Sequence, residues 1–180
     1  MALSQNTGSI LRKGSTKFAV LDSTAAVSIS GTPAEFPIVS TSAITGTPTT
    51  VTATDEAGTV YEEQDSFATR FTAEILQKDV ATAKYFQENT GYIAMLKQLR
   101  TVKTGDTFVE FMLIPKAKLD GSFSYDATAN QTIDILCEAV TTDTAIPIAQ
   151  FETDNFAVSV TGTFTVASGQ SVVFFTLPIA

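Results

Sequence analysis

The chain has 180 residues, 44% hydrophobic and 17% charged, which excludes a disordered polymer and gives one domain enough apolar mass for a core without staples. Eleven basic residues against nineteen acidic ones leave a formal charge of −8, which disfavours ordinary attraction to phosphate backbones or anionic lipid. Histidine is absent, removing the commonest general base and metal ligand, and a single cysteine, Cys137, allows no intramolecular disulfide.

The opening stretch "MALSQNTGSILRKGSTKF" carries no apolar export core, and no segment approaches a membrane span, so the expectation is a cytoplasmic product without a membrane anchor or lipid attachment. Residues 1–15 read as a polar arm. "KFAVLD" (17–22) and "AAVSIS" (25–30) are expected strands, with Phe18, Val20, Val27 and Ile29 on the buried side. Residues 31–61, rich in Thr, Ala, Ser, Gly and Pro, are too long for an ordinary connection and read as an extended interaction loop. Within it "PTTVTATDEAGTVYEE" (48–63) has the β-branched content of a projecting hairpin that turns near Glu56-Ala57-Gly58.

"SFATRFTAEIL" (66–76) alternates as a further strand. Asp79 then caps an expected principal helix whose apolar stripe is Val80, Ala83, Tyr85 and Phe86, ending at Asn89-Thr90-Gly91. "YIAMLKQL" (92–99) continues at helical spacing through Tyr92, Met95, Leu96 and Leu99, with a strand as the alternative. The remainder is β: "TFVEFMLIP" (107–115), a turn over residues 116–121, "SFSY", "TIDILCEAV", "AIPIAQF" (145–151), an alternating strand from Phe156 to Ala167, and a last strand from Val172 to Leu177. The expected fold is mainly β with a minor α component. It is a single domain, residues 1–180, built as a sandwich or barrel of roughly eight to ten antiparallel strands with one principal flanking helix.

Chemistry is sparse. No glycine-rich phosphate loop is present, and the acidic pairs Asp55/Glu56, Glu62/Glu63, Asp134/Glu138 and Glu152/Asp154 match no calcium loop. Asp134 and Glu138 share one face of an alternating strand, opposite Ile133 and Ile135, and read as a solvated sheet face. Two basic clusters, Arg12/Lys13/Lys17 and Lys97/Arg100/Lys103 near the expected helix end, read as solubilising or dipole-complementing groups; the second also suits an acidic neighbour. The thirteen Phe residues fall on apolar registers, as core or interface, and Cys137 reads as a small core hydrophobe. No enzyme activity, cofactor or metal is expected. The closing strand is apolar on both sides, which asks for cover on both: within the chain, the middle of a sandwich layer with the helix on the other side, or instead a neighbouring subunit.

A β-rich chain with an N-terminal arm, a long loop or hairpin ahead of one helix ("DVATAKYFQENTG") and a closing hairpin ("FAVSVTGTFTVASGQSVVFFTL") resembles the tail tube proteins of tailed bacteriophages. The resemblance implies a homo-oligomer, a hexameric ring that stacks into a tube in the virion tail, beside other tail proteins, with DNA passing through an acidic bore without sequence-specific binding. On that resemblance Phe174, Phe175 and Leu177 are expected in the lateral subunit interface. Thr49, Val51, Thr52, Val60 and Tyr61 are expected in the contact between rings, and Glu62, Glu63, Asp134 and Glu138 at the bore. The alternatives are a capsid decoration or head-fibre protein and a non-catalytic carbohydrate-binding module.

Overall fold

A computed structural model describes residues 18–35, 39–75, 84, 87–119, 123–124, 131–151, 156 and 162–179. The polar arm (1–15), Glu152/Asp154 and most of the expected helix lie outside them. The protein is mainly β. Eleven strands are described: β1 (Phe18–Ser23), β2 (Ser30–Glu35), β3 (Val39–Thr54), β4 (Val60–Ile75), β5 (Tyr92–Gln98), β6 (Phe108–Lys118), β7 (Phe123–Ser124), β8 (Gln131–Cys137), β9 (Thr144–Pro147), β10 (Thr163–Val166) and β11 (Val173–Pro178). Nine form one sheet whose path runs β2-β1-β5-β6-β8-β4-β3, with β11 added to β6 and β7 to β8; β9 and β10 make a separate pair. Every pairing is antiparallel.

Three central strands, β1, β5 and β6, are covered on both faces. From one face Val20, Ile93, Met95, Met112 and Ile114 enter a core shared with Phe71 and Ala73 of β4 and Ile133, Ile135 and Cys137 of β8. From the other, Leu21, Leu96, Phe111 and Leu113 meet Ile146, Ile148, Phe151, Phe156 and Val166. A strand covered on both sides needs no polar face, and this is why "YIAMLKQL" misleads. It is β5, not a second helical segment: residues 93–98 are all buried, so the period-2 signal vanishes and the spacing of Met95, Leu96 and Leu99 imitates a helix.

β6 changes neighbours along its length. Phe108–Leu113 pair with β11, whereas Ala117 and Lys118 pair with β8. At the changeover Pro115 and Lys116 lie opposite the single residue Ala94, a β-bulge, as the shift from Ile93↔Ala117 to Met95↔Ile114 shows. Proline has no N–H for the ladder, so a bulge is where a central strand tolerates it. The turn expected over residues 116–121 does not begin at Lys116, because the strand runs on through Lys118.

Other expectations change for local reasons. "AAVSIS" is not a strand: Thr24 to Val27 form a turn closed by the Val27 N–H donating to the Thr24 carbonyl at 2.9 Å, with Val27 at φ 57°, and β2 begins at Ser30. "AIPIAQF" is strand only through Pro147, and Ile148–Phe151 is a 3-10 turn that buries Ile148 and Phe151. The closing hairpin does not exist, since β10 pairs with β9 and β11 with β6. Ala167 to Gln170 is instead a corner between two sheets, with Gly169 at φ 85° donating to the Val140 carbonyl at 2.8 Å. Of the expected principal helix only Lys84, Gln87 and Glu88 are described, with helical backbone. No helix flanks the sheet among the described residues; the second face of β1-β5-β6 is covered by β9, β10 and the 3-10 turn.

Phe111 joins these layers. Its ring meets Phe156 edge-on at 5.4 Å and lies parallel to Phe175 at 5.8 Å, and it is fully buried. Phe111→Ala is expected to lower the unfolding free energy by about 3–5 kcal/mol, the usual cost of emptying a buried aromatic site; chemical denaturation monitored by far-UV circular dichroism measures it.

Candidate assembly surface

β3 and β4 form one antiparallel hairpin of sixteen residues a side. The segment read as a separate strand, residues 66–76, is its returning arm. Among the described residues β4 leans on β8 only across Thr69–Ile75, Val60–Ala68 pair with β3 alone, and β3 has no neighbour on its other side. Residues 47–68 therefore leave the sheet as a two-stranded ribbon with both edges unpaired. A two-stranded ribbon is marginal in water by itself. Edge strands are usually guarded by charge, yet β3, "VSTSAITGTPTTVTAT", contains no charged residue; its one guard is Pro48, which cannot donate a hydrogen bond.

The tip is ordered by one carboxylate. Asp55 Oδ1 accepts the backbone N–H groups of Ala57 (2.9 Å) and Thr59 (2.8 Å), and Tyr61 Oη donates to Oδ2 at 3.2 Å. The Asp55 N–H donates to the Thr59 carbonyl and the Gly58 N–H to the Asp55 carbonyl, both at 3.0 Å. Gly58 takes φ 80°, the left-handed conformation the turn requires. The backbone bond from Thr59 is the main cause holding the Asp55 carboxyl below the usual 3.8; desolvation opposes it, and the bonds from Ala57, Tyr61 and the Thr59 side chain add to the lowering. These bonds are thus in place above the ordinary carboxylate value and are lost as pH falls through the depressed one.

The ribbon's apolar side chains face solvent. Val51, Val60 and Tyr61 are 52%, 58% and 57% exposed, and Thr52 is exposed as well. Ala53 pairs with Tyr61, so Val51 and Tyr61 lie diagonally on one face and Val60 on the other. Thr49, Glu62 and Glu63 occupy ladder positions opposite Ser66, Thr52 and Val51; their side chains fall outside the described residues. From Phe18 to Thr69 the sequence holds seven acidic residues and no lysine or arginine, so no basic side chain of this segment offsets the ribbon's charge.

The three expected lateral residues separate. Phe175 stacks on Phe164 at 4.7 Å and, with Leu177, packs into the second core, whereas Phe174 is 62% exposed. Alternation along β11 explains this: Val173, Phe175 and Leu177 share the inward face, and Phe174 takes the outward one. Pro178 of β11 pairs with Phe108, 41% exposed, over whose ring the Arg100 guanidinium sits at 4.9 Å. Arg100 Nε also lies 3.2 Å from Glu110 Oε2, an ion pair by distance without hydrogen-bond alignment. Lys97 and Arg100 are therefore strand and strand-end residues, not groups at a helix end. Lys97 is buried in β5, where desolvation lowers its pKa.

The expected bore acids separate too. Asp134 accepts from Arg70 Nε at 2.8 Å, and Glu138 meets Lys116 Nζ at 2.8 Å, beside the Tyr92 ring that Lys116 also approaches at 5.1 Å. Both carboxylates are charge-compensated within the chain. A shallow open trough of about 410 Å³ beside Asp134 is lined by Ser42, Ala43, Thr72, Glu74 and Thr132. Among the described residues no cluster of His, Cys, Asp or Glu has the arrangement of a metal site, and no helix is long and apolar enough to cross a membrane. No protein-family model matches the chain, and no curated protein matches it in sequence.

Sequence reasoning missed Asp55 as the organiser of the tip and Phe108 as an exposed ring paired with β11. The first had a signal: in "TDEAGT" an Asp two residues ahead of a free N–H and three ahead of Gly is an Asx-turn pattern. The second had none, because it depends on β11 joining β6. Cys137 is buried on β8, and burial pushes its thiol up to about 12. It is expected to react with a disulfide reagent at pH 8 at least about a hundredfold more slowly in the native protein than in denaturant, measured as the rate of thiol release.

Proposed function

We propose that the chain is a structural subunit that assembles with copies of itself into stacked rings, hexameric on the bacteriophage tail tube pattern, enclosing a conduit through which DNA leaves without sequence-specific contact. The observation that carries this reading is the ribbon of residues 47–68. It has two unpaired edges, exposed Val51, Val60 and Tyr61 at its end, and a tip fixed by hydrogen bonds within itself. A disordered loop needs no such preparation, and a hairpin serving only to connect β3 and β4 needs no such length.

On this reading the sheet, curled so that β4 and β8 share a core with β1, β5 and β6, is the sandwich or barrel of the subunit, and the ribbon reaches the adjacent ring. Phe174 and Phe108 supply the lateral contact, while Phe175 and Leu177 brace it from inside. Other tail proteins would meet the two ends of the tube in the virion. The acidic field of the bore is assigned to the segment that includes Glu62 and Glu63, which has no basic residue of its own, rather than to Asp134 and Glu138, which hold Arg70 and Lys116.

Negative-stain electron microscopy with light scattering across a concentration series tests the reading: rings or tubes with an open bore support it. A particle that stays monomeric at high concentration defeats it and favours a capsid decoration role. Phe174→Asp is expected to weaken assembly at least about tenfold in critical concentration while leaving a folded monomer, because a charge at a desolvated contact is costly. Phe175→Asp, inside the aromatic stack, is expected to unfold the domain instead.

A further inference from the structure

We propose that Asp55 is the positioning residue of the hairpin: its carboxylate shapes the tip before any partner arrives and presents Tyr61 and Val51 as a rigid anchor to a second copy of this chain. This rests on the self-assembly reading and adds what makes the ribbon competent to bind.

One exposed side chain satisfies two backbone donors of the turn through Oδ1 and the Tyr61 hydroxyl through Oδ2. Both donors lie beyond the last strand pair, Thr54 and Val60, and each is satisfied by the Asp55 carboxylate. The Tyr61 bond ties the aromatic ring to the turn that Asp55 closes. Val51, Ala53 and Tyr61 then form one small apolar strip at the end of a ribbon that no other strand supports. Fixing the strip in its bound shape removes ordering entropy from the association step, which is the general route by which preorganisation raises affinity. An unshaped tip would have to order the turn and the ring at the moment of contact.

Asp55 and Tyr61 are both exposed and no core residue touches them through these bonds, so variants here leave the domain folded. The comparison is wild type, Asp55→Ala, Asp55→Asn and Tyr61→Phe at neutral pH. Two readouts apply: the critical concentration for assembly by light scattering, and amide hydrogen exchange of Ala57 and Thr59 in the monomer below that concentration.

Asp55→Ala is expected to raise the critical concentration about tenfold and to expose both amides, with the thermal midpoint of the monomer unchanged. Asp55→Asn keeps an oxygen for the two amides and loses only the acceptor for Tyr61, so it and Tyr61→Phe are expected within about threefold of wild type. Rescue by Asn separates positioning from the mere removal of a charge. Assembly of Asp55→Ala at the wild-type concentration overturns the proposal while leaving self-assembly intact. A wild-type chain that never assembles defeats the self-assembly reading and this proposal with it.

Discussion

The structure depends on one constraint: the three central strands are covered on both faces. Once β1, β5 and β6 place alternate side chains into two cores, β4 and β8 are needed on one side and β9, β10 and the 3-10 turn on the other. Covering both faces excludes water from the ladder and fixes register, because a slip of one residue would exchange the two sets of side chains. It also uses up the covering elements among the described residues. Nothing described remains to support β3 and β4 beyond Thr69, and the ribbon projects for that reason.

The same constraint explains how β11 is placed. The corner at Ala167–Gln170 sends the chain from the small β9-β10 sheet to the edge of β6, where Phe175 closes the second core against Phe111 and Phe164. The edge of β6 is available there because the Pro115 bulge hands its far end to β8. One proline thus lets a single strand serve two neighbours on the same side. The consequence for the surface is local: β11 turns Phe174 outward opposite Met112 and, four residues on, sets Pro178 opposite the exposed Phe108.

The sequence carried the β class, the hairpin turn at Glu56-Ala57-Gly58 and the inward register of Ile133, Ile135 and Cys137 openly, because each rests on local chemistry: turn residues, β-branched content, or strict alternation. It concealed β5 because burial on both faces erases periodicity. It suggested a closing hairpin because a turn sequence between two apolar runs does not record which strand each run joins. The pairing of β11 with β6 is long-range, and so is the compensation of Asp134 by Arg70 and of Glu138 by Lys116. An acidic residue in a sequence is a charge; whether it reaches solvent as one depends on a partner sixty-four positions away in the first case and on the residue across the β6-β8 junction in the second. Phe174 and Phe175 show the same limit in miniature, since adjacent identical residues have opposite fates according to the face each takes.

Charge then bears on how such a ribbon meets its partner. Asp134 and Glu138 act at short range with their cations and contribute little field beyond about a Debye length, some 8 Å at physiological ionic strength. The segment from Phe18 to Thr69 has no basic residue of its own, so any cation that offsets its acids comes from elsewhere in the fold. On the proposed self-assembly, two like-charged ribbons side by side are disfavoured. The proposed alternative is a heterologous contact, ribbon against another surface, which for identical subunits generates rings or open stacks rather than a closed dimer. The Asp55 clasp fits that geometry: it spends one acid of the tip on internal hydrogen bonds and leaves Val51 and Tyr61, rather than that carboxylate, as the leading group.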